Sequence, residues 1–377
     1  MAFKQIRGSI MDRKRRIAIL TGGGDCPGIN AVIRAVTKRA LIELDMEVLG
    51  FEDGYHGIVN KRYRKLTYED VSGILTLGGT ILGTSKIANP YRYYSVGSNP
   101  KEFGDMSKGV IENIRSVGIE CLVVIGGDGT LGIASRLFED GIPIVGIPKT
   151  IDNDIRETEV TFGFDTAVQI AADGIDRLHT TAQSHHRIMI VEVMGHNAGW
   201  IAVHAGIASG GDVILIPEIP YDIESVSEYV RQRNSKGKRF SIVIVAEGAK
   251  PVGGDVVIRR LVKESLDPVR LGGIGFFLGE QIERLTGLET RTVVMGHLLR
   301  GGTPTAYDRV LATRFGAEAV SLIKKGKFGY MVGVQRGSLV HIPIGKVAKG
   351  PRLIQPTDPL LEAARFVGTC FGDTKGQ

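Results

Sequence analysis

Cys121-Leu122-Val123-Val124-Ile125-Gly126-Gly127-Asp128-Gly129-Thr130-Leu131-Gly132 is the stretch on which the fold turns. Residues 122–125 form an apolar run without polar alternation, as a strand covered on both faces requires. The glycines end that run and open a helical pattern. In doubly wound sheets such turns lie at the carboxyl ends of strands, where ligands bind. The same grammar recurs on either side. Short β-branched runs at 16–20, 47–51, 142–147, 187–193, 212–216, 240–246 and 291–295 alternate with helical segments at 30–44, 107–117, 165–181 and 223–235. This alternation predicts an α/β fold with mostly parallel sheets. The strands are too many for one mononucleotide-binding unit, so two doubly wound sheets are expected, with a seam near residues 162–166.

Length agrees, since 377 residues is two domains at roughly 100–200 residues each. Hydrophobic residues at 43% and charged residues at 23% are ordinary globular values and exclude long disorder. The 51 glycines are about twice ordinary usage and follow no collagen period. Tight turns and backbone approaching ligands must absorb the surplus. The formal charge of +6 is too small for a nucleic-acid binder. Much of it sits in a basic tail, residues 1–15, where Lys4, Arg7, Arg13, Lys14 and Arg15 face only Asp12. The tail lacks the apolar stretch of a secretory signal, and no apolar run reaches the ~18 residues of a membrane span. Cys26, Cys121 and Cys370 match neither a disulfide framework nor a zinc pattern. The expectation is a soluble cytoplasmic chain, with no nucleic acid and no membrane as partner. The C-terminal stretch, rich in Pro, Gly and charge, reads as a peripheral strap or a frayed end.

Four features carry chemistry. In Thr21-Gly22-Gly23-Gly24-Asp25-Cys26-Pro27-Gly28-Ile29-Asn30, successive glycines bare their N–H groups at a helix start, a seat for phosphate. The run also serves simply as a tight turn. Gly127, Gly129 and Gly132 match the G-x-G-x-x-G spacing of dinucleotide folds, with Asp152 downstream, a weak signal alone. Asp128 argues otherwise, because a carboxylate repels a pyrophosphate unless a divalent cation lies between them. The loop therefore reads as a nucleotide–Mg2+ loop with Asp128 on the metal, or else Asp128 is a helix cap. The sequence contains no G-x-x-x-x-G-K-[ST], which excludes a P-loop nucleotidase.

Third comes Pro148-Lys149-Thr150-Ile151-Asp152-Asn153-Asp154. In an extended loop residues two apart project to one side, so Thr150, Asp152 and Asp154 share a wall with Lys149 beside them. A carboxylate to take a hydroxyl proton, with donors for the moving phosphoryl, is what phosphoryl transfer to an alcohol needs. Asp-Asn-Asp is equally an ordinary Asx turn. Fourth, Arg187, His196, Arg291, His297 and Arg300 lie near strand ends among glycines, and arginine forks match phosphate monoesters. Each alone is also an ordinary surface residue. Glu247 either accepts from a sugar hydroxyl or caps a turn, and Trp200 is expected to pack. Lys236-Gly237-Lys238-Arg239 is either an effector contact or a solvated helix end.

In this order, residues 21–30, 126–130, 148–155, 192–199 and 296–302 resemble the 6-phosphofructokinases, and Asp308 and Arg309 extend the last match. The likeness runs from 16 to 337. It implies two α/β domains with the active site in the cleft between them, usually in an allosteric homotetramer. It implies transfer of a phosphoryl group from ATP–Mg2+ to the 1-hydroxyl of fructose 6-phosphate, the committed step of glycolysis. A larger nucleotide-binding domain would comprise 16–163 plus 299–349, and a smaller sugar-phosphate-binding domain 164–298 plus 350–377. Gly23, Lys86 (arginine in many relatives), Gly127, Asp128, Gly129 and Thr130 would hold the nucleotide, with Asp128 on the metal. Asp152 would be the general base, Thr150 would bond the transferring phosphoryl, and Asp154 would organise the site. Met194, Gly195, His196, Glu247, His297 and Arg300 would position the sugar phosphate. Arg187 and Arg291 would reach its 6-phosphate from a neighbouring subunit, so a homo-oligomer, dimer or tetramer, would share its active sites.

Two departures from the family pattern matter. Gly129 is the residue of ATP users, where pyrophosphate users commonly carry Asp. Lys149 is the residue of pyrophosphate users, where ATP users commonly carry Gly. The chain thus resembles the mixed-substrate group. Gly129 leaves room for the α-phosphate and nucleoside, so ATP is the expected donor and pyrophosphate the alternative. His196 stands where many relatives have arginine, and Lys149 is expected to supply part of the missing charge. An enzyme of the NAD-kinase or lipid-kinase type shares the donor loop but gives no reason for 192–199 and 296–302. A Rossmann dehydrogenase fits less well, and a non-catalytic regulatory subunit would be expected to have lost Asp128 or Asp152.

Overall fold

The computed structural model describes residues 14–94, 103–261, 269–347 and 349–373. The basic tail lies almost wholly outside them. Its last two residues, Lys14 and Arg15, pair with Asp45 and Glu120.

In chain order the strands are β1 (Arg16–Thr21), β2 (Glu47–Phe51), β3 (Tyr63–Leu66), β4 (Tyr93–Tyr94), β5 (Phe103–Gly104), β6 (Cys121–Gly126), β7 (Ile144–Pro148), β8 (Ile188–Val193), β9 (Val213–Leu215), β10 (Ser241–Ala246), β11 (Ile258–Leu261), β12 (Val269–Leu271), β13 (Thr290–Val294), β14 (Tyr330–Gln335) and β15 (Ser338–Pro343). Helices α1 (Ile29–Leu44), α2 (Tyr55–Val59), α3 (Ser107–Val117), α4 (Asp128–Glu139), α5 (Phe164–His185), α6 (Trp200–Ala208), α7 (Ile223–Ser235), α8 (Ile274–Thr286), α9 (Ala306–Lys324) and α10 (Pro359–Phe366) lie between and after them.

β6 is buried along its whole length, and each of its buried Val and Ile side chains contributes about 1.5–3 kcal/mol of burial. It sits centrally in a seven-stranded sheet of order β15-β14-β7-β6-β1-β2-β3. The pairs from β14 through β2 are parallel, while β3 and β15 close the edges antiparallel. A second sheet, β13-β8-β10-β9, is parallel throughout. In the first sheet the strand order switches between β1 and β6, which puts the two glycine turns side by side at the carboxyl ends of those strands. One apolar cluster runs from Ile17 and Val123 through Phe162 and Phe315 to Val191 and Ile244, so both sheets share a continuous core.

Differences from the expected elements have local causes. β3 is a short edge strand, Tyr63-Arg64-Lys65-Leu66, whose two cations mask any apolar signal. β14 and β15 form a hairpin, and β15 is only half-buried, so its pattern is faint. The C-terminal stretch is a strap as far as Asp373, not a frayed end: Cys370 bridges Val213 beside β9, and Asp222 donates its N–H to Gly372 O at 2.7 Å. Lys236 to Arg239 are exposed at the end of α7. Among the described residues no helix is long and apolar enough to cross a membrane.

Candidate active site

A cleft of about 860 Å³ opens at the carboxyl ends of both sheets. Its first wall is the turn after β1. Gly23 sits at φ 83°, a left-handed conformation that glycine takes without strain, and its N–H donates to Ser85 O at 3.1 Å. At Gly24 a Cβ would stand 2.7 Å from Arg300 Nη1, so the missing side chain is what lets this guanidinium in. Arg300 then donates to Asp25 O at 3.0 Å, while its Nε is buried without a partner among the described residues. Lys86 lines the same wall.

The second wall is the turn after β6. Gly127 occupies the N-cap position of α4, so Asp128 is not the N-cap residue itself. Asp128 is the first helical residue, exposed to the cleft, with Oδ1 accepting from the N–H of Gly129 at 2.6 Å. The end of α4 therefore presents a partial positive charge to the cleft, beside one solvated carboxylate. Thr130 is buried and its carbonyl accepts from Tyr55 Oη at 2.9 Å.

Between these walls runs the loop after β7. Lys149 is 3% exposed, and its ammonium donates to Gly24 O, bridging the loop to the first turn. Burial pushes its pKa down to about 8. Thr150, not an aspartate, makes the local turn: its Oγ1 accepts from the N–H of Asp152 at 3.0 Å and lies 3.3 Å from Asp152 Oδ2. Asp152 Oδ1 is buried and has no hydrogen-bond partner among the described residues. Asp154 is raised to about 8, by burial first and then by the charges of Asp152 and Asp128.

The facing wall comes from the second sheet. Met194 and His196 follow β8, and Glu247 follows β10. The N–H of His196 donates to Glu247 Oε1 at 3.1 Å, and burial with the nearby charge of Asp152 raises Glu247 to about 7. His196 and Asn153 both stand at positive φ, 50° and 52°, a strain that clusters at functional sites. Gly195 joins this wall through its backbone, which also bonds Glu247. His297 and Arg300 enter from the 3-10 turn Gly296–Arg300 after β13.

Of the sequence-predicted residues, Arg187 and Arg291 lie elsewhere. Arg187 donates to Glu289 Oε2 at 2.6 Å, Arg291 pairs with the same carboxylate, and Arg291 lines a separate recess of about 580 Å³. Sequence reasoning missed Asn197, Arg259, Arg260, Arg270, Leu271 and Pro351, which also line the cleft. Three of these arginines come from the β11–β12 hairpin, for which the adjacent Arg259-Arg260 was the available signal. Nothing local marks Pro351.

The residues fit a magnesium ion that arrives with a phosphate ligand. Among the described residues no cluster of three or more His, Cys, Asp or Glu is placed to hold a metal. Mg2+ held by one or two carboxylates completes its shell with water and phosphate oxygens. Asp128 is solvated and available, and the mutual repulsion of Asp128, Asp152 and Asp154 is what a cation would relieve.

A two-lobed α/β protein with paired glycine turns facing a lysine–carboxylate loop belongs to the phosphoryl-handling class of doubly wound folds. A family model described as "Phosphofructokinase" matches residues 16–323, and the chain belongs to that family. It is 48% identical over 366 residues to "ATP-dependent 6-phosphofructokinase 2" of Clostridium perfringens, covering 97% of this chain and all of that protein. It is also 48% identical, over 94% of its length, to the whole of "Pyrophosphate--fructose 6-phosphate 1-phosphotransferase" of Amycolatopsis methanolica. The solved phosphofructokinase of Saccharomyces cerevisiae superposes with a TM-score of 0.73 at 32% identity over 89% of this chain, which spans 45% of the yeast chain.

Proposed function

We propose that the chain transfers the terminal phosphoryl group of ATP to the 1-hydroxyl of fructose 6-phosphate, giving fructose 1,6-bisphosphate, the committed step of glycolysis in the cytoplasm. The observation that carries this reading is the buried Oδ1 of Asp152, without a hydrogen-bond partner among the described residues and set between two glycine turns and a facing polar wall. Asp152 accepts the proton of the attacking hydroxyl, worth about 10²–10⁴-fold in rate. Thr150 and Lys149 bond the transferring phosphoryl, Lys149 supplying part of the charge that an arginine at the position of His196 would bring. Gly23, Lys86 and Gly127 to Thr130 seat the donor, with the positive end of α4 facing its phosphates. Bound Mg2+ neutralises charge developing on the donor, and Asp128 is the residue that would hold it. Met194, Gly195, His196, Glu247, His297 and Arg300 position the sugar, Asp154 organises the loop, and Arg187 and Arg291 serve the 6-phosphate of a neighbouring copy in a dimer or tetramer. The division into 16–163 plus 299–349 and 164–298 plus 350–377 goes with this reading.

One observation favours pyrophosphate as donor instead. A Cβ at Gly23 would be 3.3 Å from Lys149 Nζ, so the ammonium already occupies part of the first turn. The test is turnover with each donor at saturating Mg2+, reading fructose 1,6-bisphosphate. Turnover with ATP is expected; turnover with pyrophosphate alone reverses the donor, and none with either sinks the reading.

A further inference from the structure

Arg352, on the strap that follows the last strand, touches both lobes at once. Toward the larger lobe its backbone N–H donates to Asp154 O at 2.6 Å and its Nη2 to Asn153 O at 2.8 Å. Toward the smaller lobe its guanidinium lies 4.1 Å over the Trp200 ring, and its carbonyl accepts from Trp200 Nε1 at 2.9 Å. Two residues on, the N–H of Ile354 donates to Glu218 Oε1 at 3.1 Å, and the same oxygen accepts from the N–H of Gly199, ahead of α6, at 3.0 Å. The strap is thus stitched to the second lobe at Trp200 and Glu218 while it grips the first at Asn153 and Asp154.

What it grips is the loop that bears Asp152. Asn153 stands in the left-handed region, where a side-chain-bearing residue persists only if its surroundings over-determine it. Its side chain is held from one side, Oδ1 accepting from the N–H of Thr161 at 3.0 Å. Arg352 holds the backbone from the other. Only a guanidinium does this, donating in its plane to a carbonyl while its face stacks on an indole. Pro351, adjacent, lines the cleft itself.

We propose that Arg352 is a positioning residue for the phosphoryl transfer: it fixes the Asp152 loop in register with the sugar-facing lobe. It acts through Asn153 and Asp154 and touches no reacting atom. The assignment rests on the reading of Asp152 as base. Such a role predicts a loss in kcat without a matching change in binding, since a misplacement near 1 Å at the reacting centre costs about 10²-fold.

The test compares Arg352→Ala and Arg352→Lys with the parent chain in steady-state kinetics and in native-state hydrogen exchange. Expected for Arg352→Ala are a kcat lower by about 10²-fold, a fructose 6-phosphate KM within about threefold, and partial recovery of kcat with added guanidinium that the parent does not show. Arg352→Lys should fall between the two, and amides of residues 152–154 should exchange faster in both variants. A kcat within about twofold of the parent in both variants overturns the proposal, as does a rise in KM at unchanged kcat, which would make Arg352 a sugar contact. A parent inert on fructose 6-phosphate defeats the functional reading separately, and exchange then decides: unchanged protection at 152–154 overturns the role of Arg352. Should the alanine variant not fold, the lysine variant carries the same comparisons.

Discussion

The inter-lobe cleft and the Arg187–Glu289–Arg291 cluster stand at opposite ends of one strand. Arg187 precedes β8, and Met194, Gly195 and His196 follow it. At about 3.3 Å per residue the two sets are roughly 20 Å apart, farther than one hexose phosphate reaches. The cleft holds Asp152, both glycine turns and six cations (Lys86, Lys149, Arg259, Arg260, Arg270 and Arg300) within one chain. The cluster holds two arginines tied to one carboxylate and faces a different recess. On the proposed reading one copy completes the chemistry on the 1-hydroxyl, whereas these two arginines meet a phosphate in such a cleft only if it belongs to another copy. Binding and catalysis should then separate by mutation.

The largest effect tests the cleft. Asp152→Ser is expected to lower kcat by about 10²–10⁴-fold with little change in either KM, because the lost group acts only as the proton leaves. Steady-state rates with both substrates check this, and full turnover in the variant breaks the assignment. Next come Arg187→Ala and Arg291→Ala. Each removes a charge-assisted contact of about 1.5–3 kcal/mol, so the KM for the sugar phosphate should rise about 10–100-fold while the donor KM stays put. Co-refolding Asp152→Ser chains with Arg187→Ala chains sharpens the contrast: mixed assemblies should regain turnover at sugar phosphate concentrations too low for either parent variant. No regain means that the arginines serve their own chain or no site.

The smallest effect is on stability. Burial and the neighbouring charges raise Asp154 to about 8 in the folded chain, against an ordinary carboxyl near 4 when unfolded. Between those values the folded state holds a proton that the unfolded state has released, so stability falls as pH rises through the window. Asp154→Asn should flatten the fall in Tm from pH 5 to 8 and raise Tm at pH 8, by about 2–4 °C for each kcal/mol relieved. Thermal melts of the ligand-free protein check the sign, and an unchanged slope shows that Asp154 is not raised in the folded chain.

Much of this was legible in the chain itself, for identifiable reasons. The donor turns are contiguous: Gly22 to Gly24 and Gly126 to Gly129 each combine a buried strand, bare backbone and a helix start within a dozen residues. Thr150, Asp152 and Asp154 are likewise neighbours by number, so their shared wall follows from alternation along one loop. Arg259, Arg260 and Arg270 were not legible, because an exposed hairpin carries no apolar period to say where it folds over. Nor was Arg352, whose partners Asn153 and Trp200 lie roughly 200 and 150 positions away in sequence.

Sequence alone determined the α/β class, the glycine turns and the identity of the acidic loop, since each depends on interactions between residues a few positions apart. Tertiary structure decided the rest. It set Lys149 against the first glycine turn, left Asp152 Oδ1 buried with no partner among the described residues, moved Arg187 and Arg291 out of their own cleft, and closed the strap over the loop. Those outcomes depend on burial, desolvation and approach between distant segments, and such quantities exist only once the two sheets have packed on their common core.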